Sequence, residues 1–216
     1  MSLPNEFSIA YLENLLLGNR KKCSLVVHEF LSQNPSLIDL YEKVIKISLY
    51  EVGILWETNK ISVATEHLAT AITEGILNEL FEKITPYKKY NNKVVVACVE
   101  NEKHQVGIKM VADVFEMHGW ESFFLGAGIP LHELEKYIKE VKPDVLAISL
   151  SVYFNYSNLL KMLELFRKEF PDLTIILGGQ AFSNYNFDLP ERFSKVIYIP
   201  DLYMLEQYIL SLNNNS

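Results

Sequence analysis

The chain has 216 residues, an apolar fraction of 49%, a charged fraction of 22% and a formal net charge of -7. That length allows one large domain or two small ones, and the apolar content supports an ordinary packed core. An acidic chain whose basic cluster, Arg20-Lys21-Lys22, is this short lacks the electrostatic footprint of a nucleic-acid binder. Cys23 and Cys98 form no metal-type spacing, and Cys98, inside Val94-Val95-Val96-Ala97-Cys98-Val99, reads as a buried small hydrophobe. Met1–Glu6 has neither the positive region nor the apolar run of a signal peptide. No apolar stretch nears the roughly 20 residues that span a bilayer. A cytoplasmic protein without membrane contact is expected.

Residues 7–17 and 21–33 read as two short helices. Leu37, Leu40, Val44 and Ile47 then recur at spacings of three and four, which places them on one face of a third helix capped by Ser36 and ending near Trp56. A fourth helix is predicted from Ser62 to Ile84, with Ala64, Ala69, Ala71 and Gly75 small enough for close packing. Four helices with short connections predict a bundle. The segment Thr85-Pro86-Tyr87-Lys88-Lys89-Tyr90-Asn91-Asn92 breaks the periodicity and reads as a linker, so the predicted domains are 1–86 and 87–216.

Strands and helices alternate after the linker. Strands are predicted at 93–99, 121–125, 144–150, 173–177 and 196–199, and helices at 107–118, 131–141, 157–170 and 202–212. The first run is β-branched throughout, as in a strand buried on both faces. The expected fold class is therefore α/β: an N-terminal four-helix bundle cap followed by a flavodoxin-like, doubly wound, five-stranded parallel sheet.

Ligands of such sheets bind beyond the carboxyl ends of the strands, at the switch point beside the first strand. That selects the loop Glu100–Gly107, the loop beginning Ser149-Leu150-Ser151, and the loop beginning Gly178-Gly179. His104 is the histidine of these three loops. A metal-ligating imidazole usually donates its other ring nitrogen to a carboxylate, and Glu102 is placed to accept, with Ser149 or Ser151 placed to bond that carboxylate in turn. Gly107 allows close approach of backbone to a bulky ligand. Alone, His104 reads as a solvated loop residue and Gly178-Gly179 as an ordinary turn. Their combination at the right strand ends is what carries information. Tyr153-Phe154-Asn155-Tyr156 suits either a cofactor cleft or a surface aromatic cluster.

Glu102-x-His104-x-x-Gly107, then Ser149, then Gly178-Gly179 resembles the cobalamin-binding domain of methionine synthase and its relatives, over about residues 93–212. The resemblance implies that His104 replaces the lower base of cobalamin on cobalt. It implies that Glu102 and Ser149 extend a hydrogen-bond relay, and that Gly178 and Gly179 border the buried nucleotide tail. Glu102 stands where the family has aspartate, and Ser151 where it has leucine.

In the N-terminal half, Trp56 alone reads as a core aromatic, and Glu66-His67 as a solvated or capping pair in the first turns of a helix. Together, Trp56-x9-Glu66-His67 ahead of such a domain resembles the light-sensing regulators of the CarH type, over about residues 8–84. By that resemblance Trp56 packs over the upper ligand, and Glu66 and His67 contact it or the corrin edge. Glu57 stands where some of those regulators have a histidine, so a two-histidine photoproduct through that position is not expected. Those regulators carry a helix-turn-helix domain; this chain begins almost directly with the bundle, and direct nucleic-acid binding is not expected. The implied function is a cobalamin-binding sensor, adenosylcobalamin-dependent and light-responsive, acting on a regulator protein or by self-association. The alternatives are a corrinoid methyl carrier of a methyltransferase system, with methylcobalamin as its form, and an interaction module that binds no corrinoid. A mutase is not expected, because 216 residues leave no room for a substrate barrel in this chain.

Overall fold

The computed structural model describes residues 5–84, 86, 88–184, 193 and 195–214. The chain divides into two compact units, Met1–Lys83 and Ile84–Ser216. Among the described residues no helix is long and apolar enough to cross a membrane.

In the first unit, Asn5 and Ser8 close a reciprocal capping box at the start of α1 (Glu6–Leu16), satisfying donors that a helix end otherwise leaves orphaned. Asn19 accepts from the Lys22 N–H to start α2 (Arg20–Ser32), and Ser36 and Asp39 form a second capping box at α3 (Leu37–Leu40). The expected single third helix is interrupted: Tyr41–Ile45 is a π-turn, after which α4 (Lys46–Glu57) resumes. The Asn5 side-chain amide donates to the Lys43 carbonyl within this turn at 3.0 Å. Ser62 caps α5 (Val63–Glu79). That helix is shorter than the expected 62–84, because Phe81–Lys83 tightens into a 3-10 turn. Of its small residues, Ala69 is buried, whereas Ala64 and Ala71 face solvent. Gly75 lies under the Arg20 guanidinium, 3.4 Å from where its Cβ would be. Tyr11, Leu15, Cys23, Leu40, Tyr41, Val44, Ile45 and Leu77 are fully buried and form the core of this unit.

The second unit runs β1 (Lys93–Cys98), α6 (Val106–Met117), β2 (Glu121–Gly126), α7 (Leu131–Val141), β3 (Val145–Ser149), α8 (Tyr156–Glu169), β4 (Thr174–Gly178), α9 (Gln180–Asn184), β5 (Val196–Tyr198) and α10 (Leu202–Asn213). All four strand pairings are parallel, in the order β2-β1-β3-β4-β5, which is the expected flavodoxin-like order. The short helix α9 was not expected; Gln180–Asn184 offers too few residues for a periodic signal. Val95, Ala97, Leu146, Ile148, Ile175 and Leu177 point into one side of the sheet and pack on Leu134 and Ile138 of α7 and Leu159, Leu163 and Phe166 of α8. Each buried leucine or isoleucine there contributes roughly 1.5–3 kcal/mol of transfer free energy.

The register positions the site. Cys98 is paired with Ser149, and Ser149 with Gly178, so β1, β3 and β4 end level with one another. The loops that follow emerge at one edge, on either side of the β1/β3 switch point.

Candidate functional site

The β1–α6 loop opens with a tight turn in which the Glu102 N–H donates to the Val99 carbonyl at 2.9 Å. Asn101 takes φ 70, a left-handed value that asparagine tolerates better than most residues. The turn throws Glu102 inward and His104 outward: the two side chains are 1% and 52% exposed.

Glu102 is the hub of the site. Its Oε1 accepts from the Lys103 N–H at 2.9 Å, the His104 N–H at 3.2 Å and His104 Nδ1 at 2.5 Å. Its Oε2 accepts from the N–H groups of Ser151 at 3.1 Å and Val152 at 2.9 Å, and from the Asn155 side-chain amide at 3.4 Å. Burial by itself raises this carboxyl; the hydrogen bonds and charge of His104, with the backbone N–H groups of Val152 and His104, outweigh it and hold the carboxyl down to about 2. An ionised carboxylate only accepts, so Nδ1 carries a proton, and in the neutral form of the ring the lone pair lies on Nε2. A half-exposed imidazole backed by a buried carboxylate has a ring nitrogen available to a metal.

Both expected residues, Glu102 and His104, thus come together. Of the two serines expected to continue the relay, Ser151 bonds the carboxylate, through its backbone N–H. The β3 side is supplied by the backbone of Ser151 and Val152 and by Asn155, and the Ser149 hydroxyl is not among the partners of Glu102. Ser149 instead lies buried in β3, where its carbonyl accepts from the Val99 N–H. Asn155, itself buried, belongs to the Tyr153–Tyr156 segment, whose sequence shows no partner for its amide. In that segment the rings of Tyr153 and Tyr156 stack with centroids 5.7 Å apart, and Phe154 is 88% exposed.

The glycines differ in kind. A Cβ on Gly107 would meet nothing within 4 Å, so this first turn of α6 presents open backbone. Gly179 has φ 112, and a Cβ there would lie 2.2 Å from the Leu150 carbonyl oxygen. Gly178 lies against the Ile199 carbonyl oxygen, 3.3 Å from where its Cβ would be. The glycine pair therefore lets β4 and its turn close onto the ends of β3 and β5. Cys98, beside this edge, is a buried thiol pushed up to about 12 by desolvation and by Glu102, and so has little thiolate character.

In the first unit, Trp56 lies on the last turn of α4 and is 42% exposed. Glu66 and His67 lie in the first turns of α5, bonded to one another, with Thr70 Oγ1 donating to Glu66 at 3.0 Å. Trp56 makes no hydrogen bond to either.

A family model described as a B12 binding domain matches residues 92–199, and a second model with the same description matches residues 10–80. The chain belongs to the B12-binding domain family. Its cofactor is accordingly a cobalamin or related corrinoid. Among curated relatives it is similar to the HTH-type transcriptional repressor CarH of Myxococcus xanthus, 26% identical over 164 residues, covering 76% of this chain and 54% of the relative. It is also similar to the dimethylamine corrinoid protein 1 of Methanosarcina acetivorans, 24% identical over 147 residues, covering 65% of this chain and 68% of the relative. The chain thus spans about half the length of CarH. Its fold is that of the Methanosarcina barkeri monomethylamine corrinoid protein, with TM-score 0.79 at 14% identity, covering 96% of this chain and 98% of that one.

The residues at the sheet edge suit this family's cofactor. Among the described residues no group of three or more His, Cys, Asp or Glu side chains is placed to hold a metal ion. The residues present offer that cofactor one imidazole, backed by the Glu102 carboxylate.

Proposed function

We propose that this protein is a cobalamin-binding sensor in which His104 ligates cobalt from below and the form bound is adenosylcobalamin, with light as the signal. The observation that carries the ligand assignment is the 2.5 Å contact between His104 Nδ1 and the buried Glu102 carboxylate. When bound, the cofactor supplies a labile cobalt–carbon bond, which is its chemistry rather than the protein's. The chain's own residues supply the rest. Glu102 fixes the tautomer of His104 and raises its basicity. Ser151, Val152 and Asn155 hold Glu102. Gly107 leaves backbone open to a bulky ligand, and Gly178 and Gly179 border the nucleotide tail. In the first unit Trp56, Glu66 and His67 are the residues we assign to cofactor contact. The similarity to CarH, over 76% of this chain, supports the sensor reading. The response passes to a regulator protein or to a second copy of the chain, through a state that the ligand stabilises differentially.

A second reading, a corrinoid methyl carrier working with a methyltransferase, is favoured by the match of 98% of the monomethylamine corrinoid protein's length to this fold. One experiment separates the two. Purified protein is mixed with adenosylcobalamin in the dark, washed, measured by absorption, then illuminated. The sensor reading expects retained colour, an irreversible spectral change under light and a change in oligomer size, with His104→Ala altering the dark spectrum. Retained colour without a structural response, together with methyl transfer from bound methylcobalamin to an acceptor, overturns it in favour of the carrier. No retained colour with any cobalamin overturns both.

A further inference from the structure

We infer that Gln105, the residue after His104, is a positioning residue that staples the His104 loop to the β2–α7 loop and so sets the pose of the imidazole; the inference rests on His104 being the cobalt ligand. Gln105 is the N-cap of α6, with φ -100 and ψ -8, yet its side chain makes no capping bond. Short polar side chains at this position normally turn back to the helix. Here the longer amide reaches across to the neighbouring loop, where Gln105 Oε1 accepts from the Ala127 N–H at 3.1 Å. The receiving loop is shaped for it. Gly126 has φ 66, and a Cβ on it would lie 2.6 Å from that same oxygen, so the approach requires glycine.

Other side chains of the β1–α6 loop also reach neighbouring elements. Glu102 reaches the β3–α8 loop on one side. Glu100 reaches the other side, where its Oε1 accepts from the Leu131 N–H at 3.0 Å and caps α7, whose own N-cap, Pro130, makes no side-chain bond. Gln105 provides the second attachment on that side. His104 lies between Glu102 and Gln105 in sequence. Glu102 fixes the ring, and Gln105 fixes the backbone from which the ring projects. A ligand held from one side only loses the angular precision that metal sites obtain from their outer shell, where a lost partner typically costs about 10- to 100-fold in affinity.

The test compares Gln105→Met, which keeps length and removes the acceptor, with Gln105→Glu, which keeps an oxygen. Each is titrated with hydroxocobalamin by absorption beside wild type and His104→Ala. Hydrogen exchange of the Ala127 amide is measured without cofactor. Gln105→Met is expected to speed Ala127 exchange, weaken hydroxocobalamin binding about tenfold, and move the bound spectrum toward that of His104→Ala; Gln105→Glu is expected to restore all three. Faster Ala127 exchange in Gln105→Met with wild-type affinity and spectrum overturns the inference while leaving His104 as ligand. A wild-type spectrum identical to that of His104→Ala overturns the ligand assignment and this inference with it.

Discussion

Replacing Glu102 by glutamine is the sharpest probe of how the site is held. The carboxylate accepts along both oxygens, from Lys103 and His104 on one and from Ser151, Val152 and Asn155 on the other. An amide has one oxygen and one NH2 group. Whichever way it is turned, its donors face two backbone N–H groups, each of which loses its acceptor at a cost of about 1–3 kcal/mol. The titration of the carboxyl gives an independent figure. Its value falls from the ordinary 4.5 to about 2, a difference worth about 3 kcal/mol at 1.36 kcal/mol per pH unit. The sign follows from the direction. A carboxyl held below its unfolded value adds stability that is fully present above about pH 4.5 and is lost as pH falls toward about 2. Glu102→Gln is therefore expected to lose about 3 kcal/mol at neutral pH, roughly 10 °C in Tm for a domain of this size. The gap to wild type should close progressively below about pH 4.5. Urea unfolding of the cofactor-free protein, followed by circular dichroism across that range, checks both. A loss under about 1 kcal/mol at neutral pH, or two curves that stay parallel between about pH 5 and pH 3, refutes the reasoning.

Two glycine substitutions should separate backbone necessity from ligand access. Gly179→Ala places a Cβ 2.2 Å from the Leu150 carbonyl oxygen at φ 112, and is expected to cost about 3 kcal/mol or more in the same unfolding assay. Gly107→Ala meets nothing within 4 Å and sits in a helix, so stability should be unchanged or rise by up to about 1 kcal/mol. Hydroxocobalamin affinity should nevertheless fall, and equal affinity would remove Gly107 from the site.

The sheet was legible because burial on both faces leaves a continuous β-branched signature, as in Val94–Val96, and because helices of ordinary length separate the strands. That alternation implied a doubly wound parallel sheet, for which more than one strand order is common, and the flavodoxin-like order expected is the one observed. Glu102 and His104 were legible because their chemistry is local, two residues apart. Asn155 was not, because it reaches Glu102 from 53 residues away, across a strand pairing that sequence periodicity does not specify. Gln105 was hidden for a related reason: its side chain leaves its own helix for a loop 22 residues on. The π-turn at Tyr41–Ile45 was illegible because the apolar spacing through Leu37, Leu40, Val44 and Ile47 is that of an uninterrupted helix.

Glutamate at position 102 acquires a physical meaning from this arrangement. The carboxylate has to bridge its own loop and the start of the β3–α8 loop while remaining next to the ring of His104. The side chain supplies that reach, and the structure uses it: one oxygen stays with Lys103 and His104 while the other meets the successive N–H groups of Ser151 and Val152. Those donors are backbone groups, so the identity of residue 151 matters less to Glu102 than its conformation does. The same loop continues directly into Tyr153 and the exposed Phe154. Anything that repositions this aromatic turn therefore moves two of the donors that hold Glu102, and through Glu102 the nitrogen that His104 presents.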